Sequence, residues 1–470
     1  MGYIGNTPAE KYQTLQKQSF TTSATTSYTL SYSVTNPQEI ALFINNVRQN
    51  PNSSYTVSGT TLTLSSATTG TDVMYAVFLG KSVGTIAPAL GSVTNDMLSG
   101  SIATSKLANQ NIGFRNLIIN GDMSQAQRGT SVNNTNGAPY LIDRFRNQAV
   151  YSSTAPTATI AISQSTTVPS GQGFVKSTKY DVTTAQGSLT TDTGYALEQR
   201  IEGQMLQNLK KGTSNAEPLT LSFWVRSNKT GTYVVELADT DNSRQCSQAY
   251  TISSANTWEK KTLNYPADTT GAFTNDNATS LKIRIWVAAG ATFTSGTLAT
   301  TWASTSNGNS AVGQVNLVDS TSNEWYITGL QLEIGTTASD FENIPYDINL
   351  QRCERYFTVI NNNGRNGDAF YSGFTSSATV ISGVMVPLPN SLREGNPTIT
   401  LSGSVPMQRC TVDGFQTLGT GVGSVSNTAE GNNSHTLCLI CSNYSGMTAN
   451  RPAVVSFPAV SNAITVDAEL

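Results

Sequence analysis

The chain has 470 residues, room for two to four domains, and its Lys+Arg 27 against Asp+Glu 30 give a formal net charge of −3. No clustered basic surface of the kind phosphate backbones require is present, and no apolar run reaches the roughly 18 residues of a membrane span, which argues against nucleic-acid binding and membrane insertion. Charged residues make up only 12% of the chain, against about 25% in an ordinary soluble domain, and Ser, Thr, Asn and Gly take their place.

Thr suits a half-buried pleated surface because its branched Cβ packs well on a strand. A mainly β protein with a neutral, hydroxyl-rich exterior is therefore expected. The opening Met1-Gly-Tyr-Ile-Gly-Asn-Thr-Pro8 has neither the basic flank nor the apolar core of a signal peptide, and Asn6 stands where a myristoylation signal has Ser or Thr. Five Cys is an odd, sparse count that speaks against a disulfide framework.

A first unit is read over 1–80. Ser27–Leu30 and Glu39–Ile44 read as strands, with a turn at Asn45-Asn46. Tyr55–Val57 and Thr61–Leu64 alternate with period two about Ser58-Gly59 and are expected to form a hairpin. Val73–Leu79 is a continuous apolar run, expected as a buried strand. Residues 81–113 differ: Val93, Leu98, Ile102, Leu107 and Ile112 recur every four or five positions among small polar residues. One copy of such a segment buries too little to offset its ordering entropy, so it reads as a linker or as a stalk in which several chains share a thin core.

The third unit is read over 114–345. Leu219–Arg226, Gly231–Leu237, Thr257–Leu263, Leu281–Val287 and the strand at Trp325 are spaced as in a two-sheet jelly roll. Leu281, Ile283 and Ile285 alternate with Lys282 and Arg284, so that strand buries one face. Ala196–Leu209 reads as a helix-like segment beside the sandwich. In the fourth unit, 346–470, Asp347 is placed to cap a short helix whose Leu350 and Cys353 share a face with Phe357. Val384–Pro389, confined by its prolines to an edge or an irregular stretch, Thr398–Leu401, Thr436–Cys441 and Ala463–Leu470 read as strands.

Leu350-Gln-Arg-Cys-Glu-Arg-Tyr356 comes after Trp325–Gly335 and Phe341-Glu-Asn-Ile-Pro-Tyr346. This succession of a last strand, an extended Pro-Tyr crossing and a short helix ending Cys-Glu-Arg-Tyr-Phe resembles bacteriophage tail fibres. There it closes a jelly roll similar to carbohydrate-binding modules and leads into a distal domain. Val34–Ile40, Ile44–Pro51 and Phe78–Gly80 resemble the N-terminal domains of marine and cyanobacterial phage fibres, and Ser92–Leu98 with Ile102–Ala108 resemble their intertwined trimeric segments.

The resemblance implies several β-sandwich domains strung along a fibre with a short trimeric stalk and few short helices. Residues 1–80 would attach to the virion, 81–113 would trimerise, 114–345 would form the carbohydrate-binding-like jelly roll and 346–470 the receptor-facing tip. It implies a homotrimer, tail adaptor or nozzle proteins as virion partners, and host surface glycan or outer-membrane protein as receptor. Assembly would take place in the host cytoplasm, with residence in the virion tail. The alternatives are a purely structural collar or capsid-decoration fibre and a glycan-degrading tailspike.

No catalytic residues are assigned and the chain is expected not to be an enzyme. The single His, His435, stands at a strand start, and no Ser or Cys has the local context of an activated nucleophile. Cys438 and Cys441, with Cys410 and His435, have zinc-ligand chemistry, but thiols three apart on a strand point to opposite faces. No cofactor is assigned. Related jelly rolls often hold a structural calcium, yet Asn120-Gly-Asp-Met-Ser-Gln125 at the end of the expected first strand and Thr328-Gly329 in the last one lack carboxylates the family commonly shows there, leaving Asp122 and Glu333. Sugar sites stack rings on exposed aromatics. Trp224, Trp286 and Trp325 read as core and Trp258 as packing. Trp302 in a Thr/Ser-rich loop, and Tyr371, Phe374, Phe415 and Tyr444 in the tip, are the candidate glycan-binding residues.

Overall fold

A computed structural model of the chain describes residues 15–79, 114–152, 155–360, 369–377, 379–394, 397–401, 407–411, 414–417, 425–427, 436–441, 449–457 and 464–470. It divides into two compact units, Met1–Gln110 and Asn111–Leu470. The expected stalk, 81–113, lies outside the described residues. Strands dominate and the α-helices among the described residues are short, so the chain is mainly β.

In the first unit, β1 (Lys17–Phe20), β2 (Ser27–Val34), β3 (Ile40–Ile44), β4 (Val47–Arg48), β5 (Tyr55–Leu64) and β6 (Met74–Phe78) form a four-stranded sheet, β1-β6-β3-β4, and a pair, β2-β5. Leu30, Ile40, Leu42, Leu62, Met74 and Ala76 make its core, with Tyr55 buried and its hydroxyl shared between the carbonyls of Pro37 (2.8 Å) and Ile40 (2.9 Å). Asn45 and Asn46 take φ of +50° and +63°, the left-handed pair that a two-residue turn demands and that Asn tolerates. The hairpin expected at Ser58-Gly59 is not formed, because β5 runs unbroken through it. Gly59, at φ +62°, lies opposite Val34 where the register shifts; a left-handed glycine bulges the strand instead of reversing it.

The second unit begins with a sandwich. Its strands are β7 (Ser131–Asn134), β8 (Arg146–Val150), β9 (Thr159–Ser165), β10 (Ser177–Thr184), β11 (Gly194–Glu202), β12 (Leu219–Ser227), β13 (Gly231–Asp239), β14 (Arg244–Ile252), β15 (Glu259–Tyr265), β16 (Thr279–Ala289), β17 (Ala303–Ser304) and β18 (Glu324–Ile334), with α1 (Ala291–Thr294) between β16 and β17. One sheet is ordered β15-β12-β18-β10-β9-β7 and the other β17-β14-β13-β16-β11-β8. Leu221, Phe223, Val225, Trp325 and Ile327 from the first meet Tyr233, Val235, Leu237, Leu281, Ile283 and Ile285 from the second in one continuous core. Each fully buried side chain of this size contributes about 1.5–3 kcal/mol.

Two expectations fail here. Ala196–Leu209 is not helical: it is most of β11 followed by two single 3-10 turns, Gly203–Met205 and Gln207–Leu209. Glu198, Arg200 and Glu202 are the outward residues of a strand whose Tyr195, Leu197 and Ile201 point into the core, and their spacing of two is that of a strand. The expected first strand ending at Asn120–Gln125 forms no ladder. Leu117 N–H does donate to Leu332 O (2.9 Å), but the Asn116 amide takes over neighbouring backbone groups, donating to Leu330 O (3.0 Å) and accepting from Ile118 (3.0 Å) and Leu332 (3.1 Å).

Beyond the sandwich come α2 (Tyr346–Glu354), β19 (Phe357–Ile360), β20 (Ala369–Thr375), β21 (Ile381–Pro387), β22 (Thr398–Leu401), β23 (Met407–Thr411), β24 (Gly414–Thr417), β25 (Val425–Asn427), β26 (Thr436–Cys441), β27 (Pro452–Phe457) and β28 (Ile464–Asp467). They form a sheet β19-β28-β22 and a sheet β24-β23-β27-β20-β21-β26-β25. Pro345, not Asp347, precedes α2, and Asp347 sits inside its first turn without a capping bond. The helix buries Asn349 and Cys353, whereas Leu350 is only half-buried and Phe357 already belongs to β19. β21 is an interior strand and not an edge, but it is irregular, with a register shift against β26 between Ile381 and Val384. Pro387 is tolerated because the β20 partner reaches only Ile381 and Ser382, leaving that flank without an acceptor to satisfy.

Candidate functional site

The Cys-Glu-Arg-Tyr segment clamps the sandwich to the strands that come after it. Glu202, with a fully buried side chain, accepts from Arg355 Nε (3.0 Å) and Nη2 (2.9 Å) and from the Tyr356 hydroxyl. Burial works against its charge, but Arg355 and Tyr356 outweigh burial and hold the carboxyl below its usual range. Cys353 and Tyr356 pack with Ile119 in a small separate core. Arg144 stacks 3.4 Å over the Tyr356 ring and pairs with Glu469, and Arg128 stacks 3.5 Å over Phe357 and bonds Asp467 (3.1 Å). β28 and the residues after it are thereby tied to the segment before β7 and to the loop before β8.

The outer face of the β17-to-β8 sheet carries three rows. Ala196, Trp286 and Val234 form an apolar row that Gln148 ends on β8, and Phe293 and Ala311 cover its centre, with Trp286 wholly buried and its ring 5.0 Å from that of Phe293. The next row runs Arg146–Glu198–Arg284–Glu236–Ser247 across five strands. Arg284 bridges both carboxylates, giving Nε and Nη2 to Glu198 (3.0 and 2.8 Å) and Nη1 to Glu236 (3.0 Å). Arg200 adds a bond to Glu198 (2.8 Å), while Trp286 Nε1 (3.1 Å) and Ser310 Oγ (2.9 Å) donate to Glu236. Burial pushes the Glu198 carboxyl up, but Arg284 and Arg200 overcome it and hold the group at about 2. The third row holds Arg200, Lys282 and Ala238.

The outer face of the opposite sheet is built differently. Lys179, Tyr326 and Arg226 lie side by side on β10, β18 and β12, and Trp258 precedes β15 at the end of the same row. Arg226 sits 5.0 Å from the Tyr326 ring centre and Lys179 5.8 Å from it, and Trp258 meets the ring edge-on at 6.2 Å. Trp224 is one step along β12, half-buried and pointing away from the core that its neighbours Phe223 and Val225 enter. The reading of Trp224 as core is thus corrected, and Trp286 and Trp325 are core or covered. Period-two alternation in Leu219–Ser227 is the signal for this: Thr220, Ser222 and Arg226 share the parity of Trp224, while Leu221, Phe223 and Val225 take the other.

The sequence-derived candidates do not converge. Trp302 packs against the sandwich core, donates Nε1–H to Pro266 O (2.9 Å) and lies 5.5 Å from the Lys211 ammonium, which is itself held by Asp239 (2.6 Å) and Asp268 (3.0 Å). Phe374 is 50% exposed on β20, its ring close over Gly383, whose φ of +67° and lack of Cβ make room for it. Tyr371 and Phe415 fall on β20 and β24, but their side chains lie outside the described residues, as do Tyr444, His435 and the side chains of Cys410, Cys438 and Cys441.

Asp122 and Glu333, the carboxylates considered for calcium, have separate partners. Asp122 accepts from Ser124 (3.1 Å) and Asn349 (3.2 Å), and Glu333 from Gln331 (2.9 Å) and Ser339. Gly329, at φ +66°, leaves room for the Phe174 ring, which would lie 2.5 Å from a Cβ there. Among the described residues no three His, Cys, Asp or Glu cluster to hold a metal. Cys246 and Cys353 are buried, and burial pushes the first up to about 12 and the second well above its usual value, so neither thiol supplies a nucleophile at neutral pH.

No protein-family model matches the chain, and no curated protein matches it. Solved structures similar to it include the enzymatically active domain of bacteriophage CBA120 tailspike protein 4, at 14% identity and TM-score 0.24 over 47% of this chain and 21% of that one. A family 11 carbohydrate-binding module of a Clostridium thermocellum cellulase matches at 10% identity and TM-score 0.21, over 44% of this chain and 100% of the module. A tandem pair of carbohydrate-binding modules from Paenibacillus barcinonensis matches at 11% and 0.21, over 76% and 98%. At such identities and scores none of these likenesses bears on what this chain binds, and the chain spans about a fifth of the tailspike domain it matches.

Proposed function

We propose that this protein is a phage tail fibre whose sandwich is an adhesive, non-hydrolytic glycan-binding module. The observation that carries the reading is the row Lys179–Tyr326–Arg226–Trp258 with Trp224 beside it: the half-buried Trp258 and Trp224 rings, with the buried Tyr326 ring between Lys179 and Arg226, next to fixed hydrogen-bond donors on the outer sheet face. Pyranose rings present apolar C–H faces and hydroxyl edges, which such a surface meets with ring contact and charge-assisted hydrogen bonds. The clamp through Glu202, Arg355 and Tyr356 supports the fibre reading, because it gives the Cys-Glu-Arg-Tyr segment a mechanical task in coupling the sandwich to a distal part. Non-hydrolytic binding is supported by Glu198 and Glu236, a neighbouring carboxylate pair that Arg284 keeps ion-paired, when glycosidic cleavage needs one carboxyl protonated.

In this reading the first unit attaches to the tail, residues 81–113 join three copies, and host contact is weak per site and strengthened by multivalency. The test is binding of the full chain to host cells and to arrayed bacterial polysaccharides, with its solution mass by light scattering. A mass near three times 49.9 kDa with glycan binding lost in Trp258→Ala supports the reading. A monomer that ignores cells and glycans overturns it in favour of a structural virion part.

A further inference from the structure

The cations on the outer face of the β17-to-β8 sheet are unequally occupied. Arg284 is spent on Glu198 and Glu236, and Arg200 on Glu198 (2.8 Å) and the Leu470 carbonyl (2.8 Å). Arg146 stands 3.6 Å from a Glu198 oxygen that already accepts from Arg200. Lys282 stands directly between Arg200 and Ala238 in the cross-strand register, and its ammonium makes no hydrogen bond and no ion pair among the described residues, although the side chain is half-buried. Burial holds its ammonium below the usual value; Glu198 pulls the other way, and Arg200, Arg284 and Arg146 add to the lowering. A partly desolvated cation among other cations, with the nearby carboxylates already engaged, is a place where an incoming anion gains more than on open surface.

We propose that Lys282, with Arg200 beside it on β11 and Arg146 beyond it on β8, is a binding site for the anionic group of an acidic saccharide: a carboxylate, sulfate or phosphate carried on a sugar. The guanidinium edges orient the planar or tetrahedral anion, and the ammonium supplies the uncommitted donors. The choice of a saccharide as carrier rests on the glycan-adhesion reading; the anion site stands on the cation cluster, on the sheet face opposite Trp258. Its occupancy weakens with salt, because the field of a half-exposed cation is screened within about 10 Å at 0.1 M ionic strength.

The test uses the full chain with alginate as a polyuronate, dextran as a neutral polymer, and inorganic phosphate and sulfate as free anions. Alginate binding that falls about tenfold or more in Lys282→Glu and in Lys282→Met, and likewise between 50 mM and 500 mM salt, is the expected result, with dextran binding unmoved by either variant. Lys282→Met removes an unpartnered, partly buried charge and is expected to be at least as stable as the parent in thermal unfolding, so misfolding does not explain its loss of binding. Alginate binding unchanged in both variants overturns the site. Binding of free phosphate or sulfate displaced by Lys282→Glu, with no alginate binding, overturns the saccharide assignment. Dextran binding without alginate binding leaves the adhesion reading standing and overturns this one, and no binding to any probe overturns it as well.

Discussion

The two outer faces of the sandwich carry similar kinds of side chain and commit them in opposite ways. On the β17-to-β8 face, Glu198 and Glu236 have 0% and 3% of their side chains exposed and are locked by one arginine, while the apolar row beside them is covered by Phe293 and Ala311. On the β15-to-β7 face, Lys179, Glu324 and Arg226 stay partly exposed, and Trp224 and Trp258 are left half-open beside the buried Tyr326 ring. The lesson is that buried charge on a sheet face acts as structure, and that recognition is to be sought where charge and rings are both still accessible.

The comparison breaks first at Arg284. Arg284→Ala leaves two buried carboxylates without their shared partner and is expected to cost about 3–5 kcal/mol in urea unfolding, while Arg226→Ala on the other face costs at most about 1 kcal/mol. Equal losses would erase the distinction. Next is acid. Glu198 is held at about 2 in the folded chain against an ordinary 4.5, so its stabilisation is fully present above 4.5 and disappears as pH falls through 2. The change is about 3 kcal/mol, read as a pH-dependent gap between the parent and Glu198→Gln that closes toward pH 2.

Smaller in stability but larger in function is Trp258→Ala. The unfolding midpoint should move by about 1 kcal/mol or less, since the ring is only half-buried, while glycan binding falls about tenfold or more. Trp224→Ala should behave alike, with up to about 2 kcal/mol of stability lost. The smallest effect is at Lys179→Ala, whose half-exposed pair with Glu324 (2.6 Å) contributes no more than about 1 kcal/mol and less in high salt.

Much of this fold is legible in the chain because strands declare themselves by alternation. Leu281, Ile283 and Ile285 against Lys282 and Arg284 fixed the inward face of β16, and Asn45-Asn46 marked the turn between β3 and β4. β11 was not legible: Glu198, Arg200 and Glu202 look like a solvent stripe, and only the partners brought by β16 and α2 explain why charges stand on a buried strand. The row proposed for recognition was hidden for the same reason. Lys179, Arg226, Trp258 and Tyr326 are far apart in sequence and are assembled by register alone, whereas Trp302, chosen for its loop, is pinned by Pro266 through a contact that no local pattern announces.

The most direct test of the account is the affinity of the full chain for arrayed bacterial polysaccharides, measured in parallel for the parent, Trp258→Ala and Arg284→Ala at a temperature where all three are folded. The account predicts that the parent binds, that Trp258→Ala loses about tenfold or more, and that Arg284→Ala, though less stable, binds any neutral glycan as the parent does. Parent and Trp258→Ala binding alike, or no glycan bound by the parent, would contradict it.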